Sequence, residues 1–137
     1  MSDEPVLVEH DGAVATITMN RPRRRNALSL DQMHRLIAAF EEVGGSDATG
    51  VVLAGNGPVF SAGHDFADVA EADLAGAREL LGTCVRLMET VQSVPQVVLA
   101  RVHGLATAAG CQLVADCDLA VAGHSAGDRS LNSWLVV

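Results

Sequence analysis

Two short apolar runs, "GVVLAG" from Gly50 to Gly55 and "VVLARV" from Val97 to Val102, flank a long segment of helical periodicity, and that arrangement decides the class of fold. Within the segment Leu74, Ala77, Leu81, Cys84, Met88 and Val91 recur at helical spacing, and Pro95 ends the helix before the second run. Strand, helix and strand at this spacing predict a right-handed crossover and a parallel pair. An α/β domain of this kind needs a sizeable core. With 49% hydrophobic residues among 137, the chain can supply one.

The flanking segments extend the same alternation. "VLVEHDGAVATITM" gives two β-rich runs around Asp11-Gly12, a hairpin signal. After "NRPRRRNA", Ser29 with Gln32 forms a capping box, and Leu30, Met33, Ile37 and Phe40 carry an amphipathic helix to Gly44-Gly45. "NGPVFSAGHDF" reads as a loop after the Gly50–Gly55 strand. Beyond Val102, "ATAAGCQLVADC" reads as a helix and "LAVA", Leu119 to Ala122, as a last short strand. There are no repeats and no low-complexity linker.

Charge and cysteine usage narrow the function classes. Seventeen Asp and Glu against nine Lys and Arg, a net charge of -8, would repel a phosphate backbone over most of the surface, so no nucleic-acid partner is expected. "MSDEPVLVEH" lacks the basic and apolar regions of a secretory signal, and no apolar run approaches about 20 residues, so no membrane association is expected either. Three cysteines, Cys84, Cys111 and Cys117, sit in apolar contexts without C-x-x-C spacing. They read as free thiols in a reducing cytoplasm.

Two loops follow strands that the pattern makes parallel neighbours, and both consist of small residues. A Gly/Ala-rich loop that opens a helix presents unpaired backbone N–H groups with the helix dipole behind them, so "HGLATAAGC" can hold an oxyanion. "FSAGHD" supplies a second such loop at the same end of the neighbouring strand, where sites in parallel sheets lie. Two convergent N–H donors would make an oxyanion hole. The alternative is that both loops are merely tight turns.

Other constellations are weaker. Ser61, His64 and Asp65 carry the residue types of a hydrolase triad, but neighbours in one short loop cannot align as nucleophile, base and orienter, and no G-x-S-x-G elbow exists. Asp116, Cys117 and Asp118 have no helical i, i+4 relation to His103 or His124, so no metal site is expected.

"NRPRRRNALS", "FSAGHDF" and "VHGLATAAGCQLVADCDLAVA" occur in the order and spacing of the crotonase superfamily, the enoyl-CoA hydratase/isomerase proteins. The resemblance covers roughly residues 5 to 122 and is strongest to the hydratase domain-containing subgroup with "GLATAAGCQLVA". It implies the N-terminal part of a crotonase-type ββα spiral fold. It also implies an acyl-CoA thioester as substrate, no separate cofactor, and a place in fatty acid metabolism. Carried over by position, the amides of His64 and of Ala109, beside Gly110, polarise the thioester carbonyl. Ala62, Gly63, Asp65 and Phe66 flank the substrate, and Arg23, Arg24 and Arg25 meet the coenzyme phosphates.

The same comparison puts hydration in question. Where family hydratases carry a first catalytic glutamate, this chain has Gln112, whose amide orients water but accepts no proton at neutral pH. Asp116 lies one helical turn on, about 6 Å further from the helix N-terminus, and is no substitute. The second glutamate is expected beyond Ala122. There the chain runs "GHSAGDRSLNSWLVV", unlike the family, so residues 1–122 read as the acyl-CoA-binding core and 123–137 as a non-family tail of a truncated product. Trp134 then serves at most a small hydrophobic patch. Relatives of full length are expected to form trimers or hexamers, and this chain to self-associate through apolar faces on Val51–Ala54 and Val97–Val102. The alternatives are therefore a hydratase- or isomerase-like enzyme with little hydratase activity, and a non-catalytic acyl-CoA-binding or inactive product.

Overall fold

The computed structural model describes residues 2–123, so the expectations for His124 to Val137, Trp134 included, lie outside the described residues. One five-stranded sheet organises the rest, in the order β1 (Val6–Asp11), β2 (Val14–Met19), β3 (Gly50–Gly55), β4 (Val97–Val102) and β5 (Leu119–Ala122). β1 and β2 are antiparallel, and every later pair is parallel. Helix α1 (Leu30–Gly44) links β2 to β3, α2 (Phe66–Glu71) and α3 (Leu74–Ser93) link β3 to β4, and α4 (Ala109–Ala115) links β4 to β5. The parallel pair expected from the sequence is therefore present, inside a mixed sheet.

Local chemistry sets the boundaries. The hairpin turns on Gly12 and Ala13, because Asp11 still pairs with Val14. Gly12, at φ +60, takes the first position of a type II′ turn, where glycine has no Cβ to clash. Ser29 caps α1, its hydroxyl accepting from Gln32 N at 3.1 Å, but the Gln32 side chain does not return to Ser29. It is fully buried and donates instead to Pro5 O at 3.1 Å, tying the helix to the start of β1. The last helix starts at Ala109, later than the Ala106 expected, since Ser61 and Ala106 form a β-bridge.

The buried face of α3 differs from the expected one. Leu80, Thr83, Cys84, Leu87, Met88 and Val91 turn inward, whereas Leu74 and Leu81 are 69% and 59% exposed and Ala77 is half-buried. Adjacent leucines at 80 and 81 allow two apolar stripes roughly 100° apart on one helix. α3 packs against α1 through the first stripe, and the second remains open with Val85.

The sheet divides in the same way. Ala15, Ile17, Val51, Leu53, Val98, Ala100 and Val102 face the core. Register places Thr16, Val52, Leu99 and Leu119 in a row on the other face. There Val97, Leu119 and Val121 are more than half exposed. The apolar exposure expected of β3 and β4 is thus confined to their outward residues, because side chains alternate across a strand.

Candidate active site

Three βα loops meet at the C-terminal ends of β2, β3 and β4. The loop after β4 zips onto the loop after β3: Phe60 N and Ser61 N donate to Leu105 O at 2.9 and 3.2 Å, and Thr107 N donates to Ser61 O at 3.0 Å. The loop after β2 closes the third side, with Ala62 N donating to Arg25 O at 3.0 Å and Leu28 N to Gly63 O at 2.7 Å.

Asn26 is the centre of this junction. It is fully buried in the left-handed region, φ +49, and its Nδ2 lies 2.9, 3.2 and 3.0 Å from the carbonyls of Asn56, Val59 and Phe60. Its Oδ1 accepts from Arg21 N at 2.9 Å. Ser61, also fully buried, donates from Oγ to Asn26 O at 2.9 Å and accepts from Gly63 N at 3.3 Å. Asn26 does not stand out as functional in the sequence, and Ser61 does so only as a member of a rejected hydrolase triad. The available signal was an asparagine, the residue most tolerant of that conformation after glycine, directly behind a basic run.

The "SAGHD" and "TAAG" segments touch backbone to backbone. A Cβ on Gly63, φ +89, would lie 3.1 Å from Ala108 Cβ and from Thr107 O and 3.2 Å from Ala109 N; one on Gly110 would lie 2.5 Å from Ser61 O. The chain enters α4 through Ala108 at φ 50, ψ -124, a conformation that costs a non-glycine residue about 1–3 kcal/mol. At this helix start Gly110 N and Cys111 N turn to Thr107 O, and Gln112 N to Ala108 O. Neither His64 N nor Ala109 N donates to a protein acceptor among the described residues.

The sequence matches the family model for enoyl-CoA hydratase/isomerase over residues 9–134. The chain belongs to this family. A zebrafish (Danio rerio) relative, enoyl-CoA hydratase domain-containing protein 3, is 40% identical over 88% of this chain and 43% of its own length. Among solved structures, an enoyl-CoA hydratase from Mycobacterium smegmatis superimposes with a TM-score of 0.85 at 44% identity, covering 88% of this chain and 48% of that one. The human enoyl-CoA hydratase domain-containing protein 3 superimposes with a TM-score of 0.83 at 37% identity, covering 87% and 48%. The described residues thus have the N-terminal part of the crotonase fold, and the chain spans about half the length of these relatives. The zebrafish, mouse and human proteins of that name are named mitochondrial, which overturns the cytoplasmic setting inferred from the cysteines. Free thiols report a reducing environment and not an address.

Within this crotonase framework the expected site residues separate into groups. Gly63, next to His64, meets Ala109 N and Gly110 meets Ser61 O at the loop contact, while His64 itself bridges to Leu28. Gln112 lies exposed one turn into α4. The three expected arginines divide: Arg23 and Arg24, joined by Arg21, border an open basin of about 900 Å³ with Asn20, Asp65 and Asp68, whereas Arg25 faces a smaller pocket of about 310 Å³ with His64 and Phe66. Arg24 stands between them, paired to Asp65 at 3.4 Å. Asp65 also caps α2, accepting from Ala67 N at 2.9 Å, so the expected loop leads directly into a helix whose signal is an aspartate before "FADVAE". Ala62 lines the smaller pocket, and Phe66 is 85% exposed at its rim.

The neighbouring acids are structural. Asp118 accepts from Val98 N at 2.8 Å and fastens β5 to β4. Asp116 accepts from Gln92 Nε2 at 2.6 Å, yet burial pushes its carboxyl above the usual carboxylate range, and its Oδ2 is buried without a partner. Burial, with Asp116 and Asp118 nearby, pushes the Cys117 thiol up to about 12, and burial also raises Cys84 and Cys111. None of these thiols is a thiolate at neutral pH.

Proposed function

We propose that the chain binds acyl-CoA thioesters of fatty acid metabolism and polarises the thioester carbonyl between the backbone amides of His64 and Ala109. The observation that supports this reading is the pair of N–H groups without protein acceptors on two segments in backbone contact at Gly63. Enolate charge developing on the thioester oxygen gains about 3 kcal/mol per pre-oriented donor in other oxyanion holes. Gly63 and Gly110 let the two segments that carry these amides pack backbone to backbone. The coenzyme phosphates belong in the open basin beside Arg21, Arg23 and Arg24, where charge-assisted contacts are available.

A second reading, acyl-CoA binding without hydration, is favoured by Gln112, which supplies an amide where family hydratases use a base. Titration calorimetry with crotonyl-CoA, run beside the ultraviolet absorbance of the conjugated enoyl thioester, tests both. Binding with a red-shifted absorbance that Ala109→Pro abolishes supports the amide pair, since proline removes that N–H and is tolerated at the first helical position. Loss of absorbance with time marks turnover. Binding with stable absorbance marks a binding protein, and absence of binding refutes the site.

A further inference from the structure

The outer side of α3 carries a pattern that reads the same from either end. Leu74, Leu81 and Val85 form an apolar line, 69%, 59% and 54% exposed. Successive residues turn by about 100° around a helix, so Arg78 and Glu89 stand beside that line, and Glu79 and Arg86 flank them on the far side. All four charged residues are exposed, and none enters an ion pair among the described residues. Pairing within the helix does not account for them. Arg86 and Glu89 have i, i+3 spacing with the arginine first, the less favourable order, and Arg78 and Glu89 stand about 16 Å apart along the axis.

We propose that this face is the contact between two copies of the chain, their α3 helices packed antiparallel about a two-fold axis level with Thr83. Such an axis pairs positions equidistant from that level. Leu81 then packs on the partner's Val85, Arg78 meets the partner's Glu89, and Glu79 meets the partner's Arg86. Each pairing occurs twice across the axis. Parallel packing in register would instead set Arg78 against the partner's Arg78 and Glu89 against the partner's Glu89, which is repulsive. The exposed charges of α3 also balance, Arg78 and Arg86 against Glu79 and Glu89, in a chain whose net charge of -8 repels a second copy elsewhere. One helix pair is smaller than a standard interface, so association in the micromolar range is expected.

Charge exchange tests the register. Sedimentation equilibrium of the full chain over about 1 to 100 μM compares the parent with Arg78→Glu, Glu89→Arg, the double variant, and an equimolar mixture of the two single variants. The expected result is a monomer–dimer equilibrium whose dissociation constant rises at least about tenfold in each single variant. The double variant and the mixture should both recover the parent's association, because each restores opposite charges across the axis. These positions are exposed, so far-ultraviolet circular dichroism of every variant should superimpose on the parent's. A chain that stays monomeric throughout, or single reversals without effect, overturns the contact. So does a loss that neither the double variant nor the mixture repairs. A dimer removed by Leu119→Lys with Val121→Lys, and untouched by the reversals, overturns it in favour of the sheet face.

Discussion

Replacing Gly110 by alanine is the sharpest test of the contact that brings the two amides together. The added Cβ would sit 2.5 Å from Ser61 O, 2.8 Å from Ser61 Cβ and 2.9 Å from Ser61 Oγ, all far inside ordinary contact. Ser61 cannot yield, because it is fully buried, its carbonyl accepts from Thr107 N at 3.0 Å, and its hydroxyl is bonded to Asn26 O. Overpacking a rigid site costs roughly 1–3 kcal/mol, and loss of the Thr107–Ser61 bond adds about 1 kcal/mol, so a destabilisation of about 3 kcal/mol is expected. Gly82→Ala is the matched control. Its Cβ meets nothing within 4 Å on α3, and it should stabilise by about 0.5–1 kcal/mol through helix propensity. Urea denaturation followed by far-ultraviolet circular dichroism reads both as midpoint shifts at constant m-value. Adding Ser61→Ala to Gly110→Ala should rescue nothing, since the 2.5 Å clash is with backbone. A Gly110→Ala midpoint equal to that of the parent, or rescue by Ser61→Ala, would refute a rigid backbone contact between the segments.

Further expectations follow from individual residues. Ala108→Gly should stabilise by about 1 kcal/mol in the same assay, because glycine adopts φ 50, ψ -124 without strain; a loss of stability would contradict this. Asn26→Ala should cost about 3 kcal/mol, since three loop carbonyls lose a buried donor and the left-handed backbone loses its tolerant residue. Asp116 favours its protonated form when folded, so its contribution to stability is complete below the ordinary carboxylate pKa of about 4 and is lost as pH rises through the raised value. Asp116→Asn should therefore raise the melting temperature at pH 7 and converge with the parent near pH 3; parallel melting curves at all pH values would reject this. The open sheet face should bind the dye ANS and promote self-association, both reduced by Leu119→Lys with Val121→Lys. A monodisperse parent chain that binds no ANS would show that this face is covered in solution.

The fold was legible where one physical signal acted alone. Strand periodicity and Pro95 alone locate β3, α3 and β4. The signal failed where two were superposed: with leucines at both 80 and 81, helical spacing alone gives no phase, and only the packing of α1 against α3 selects Leu80 and Leu87 over Leu74 and Leu81. The site divides likewise. Glycine and alanine in "SAGHD" and "TAAG" announce a bare backbone, which the Gly63 and Gly110 contacts require. Asn26, which holds the three loops together, leaves no periodic trace, because its partners are carbonyls about 30 residues away in sequence. The arginines show the limit of composition: three consecutive positive charges look equivalent, yet a 3-10 turn at Pro22–Arg24 and the left-handed Arg25 send them to different pockets.

Binding geometry and cover are separable in this chain. The two free amides, Asn26, Ser61 and the Arg24–Asp65 pair all lie between Arg21 and Gly110, in segments that fasten one another through backbone hydrogen bonds and, among the described residues, make those bonds with none beyond α4. The exposed residues Val97, Leu119 and Val121 lie instead on the outward face of β4 and β5, and a parallel sheet is ordinarily covered on both sides. Two failures can therefore be told apart by substitution. Lysines on the outward face of β5 act on solubility and leave the Gly63–Ala109 contact untouched, whereas Gly110→Ala separates the amides and leaves that face as it was. If the lysine pair also abolished thioester binding, the amide pair would depend on whatever covers β5, and the self-contained geometry of the three loops would be insufficient to hold a ligand.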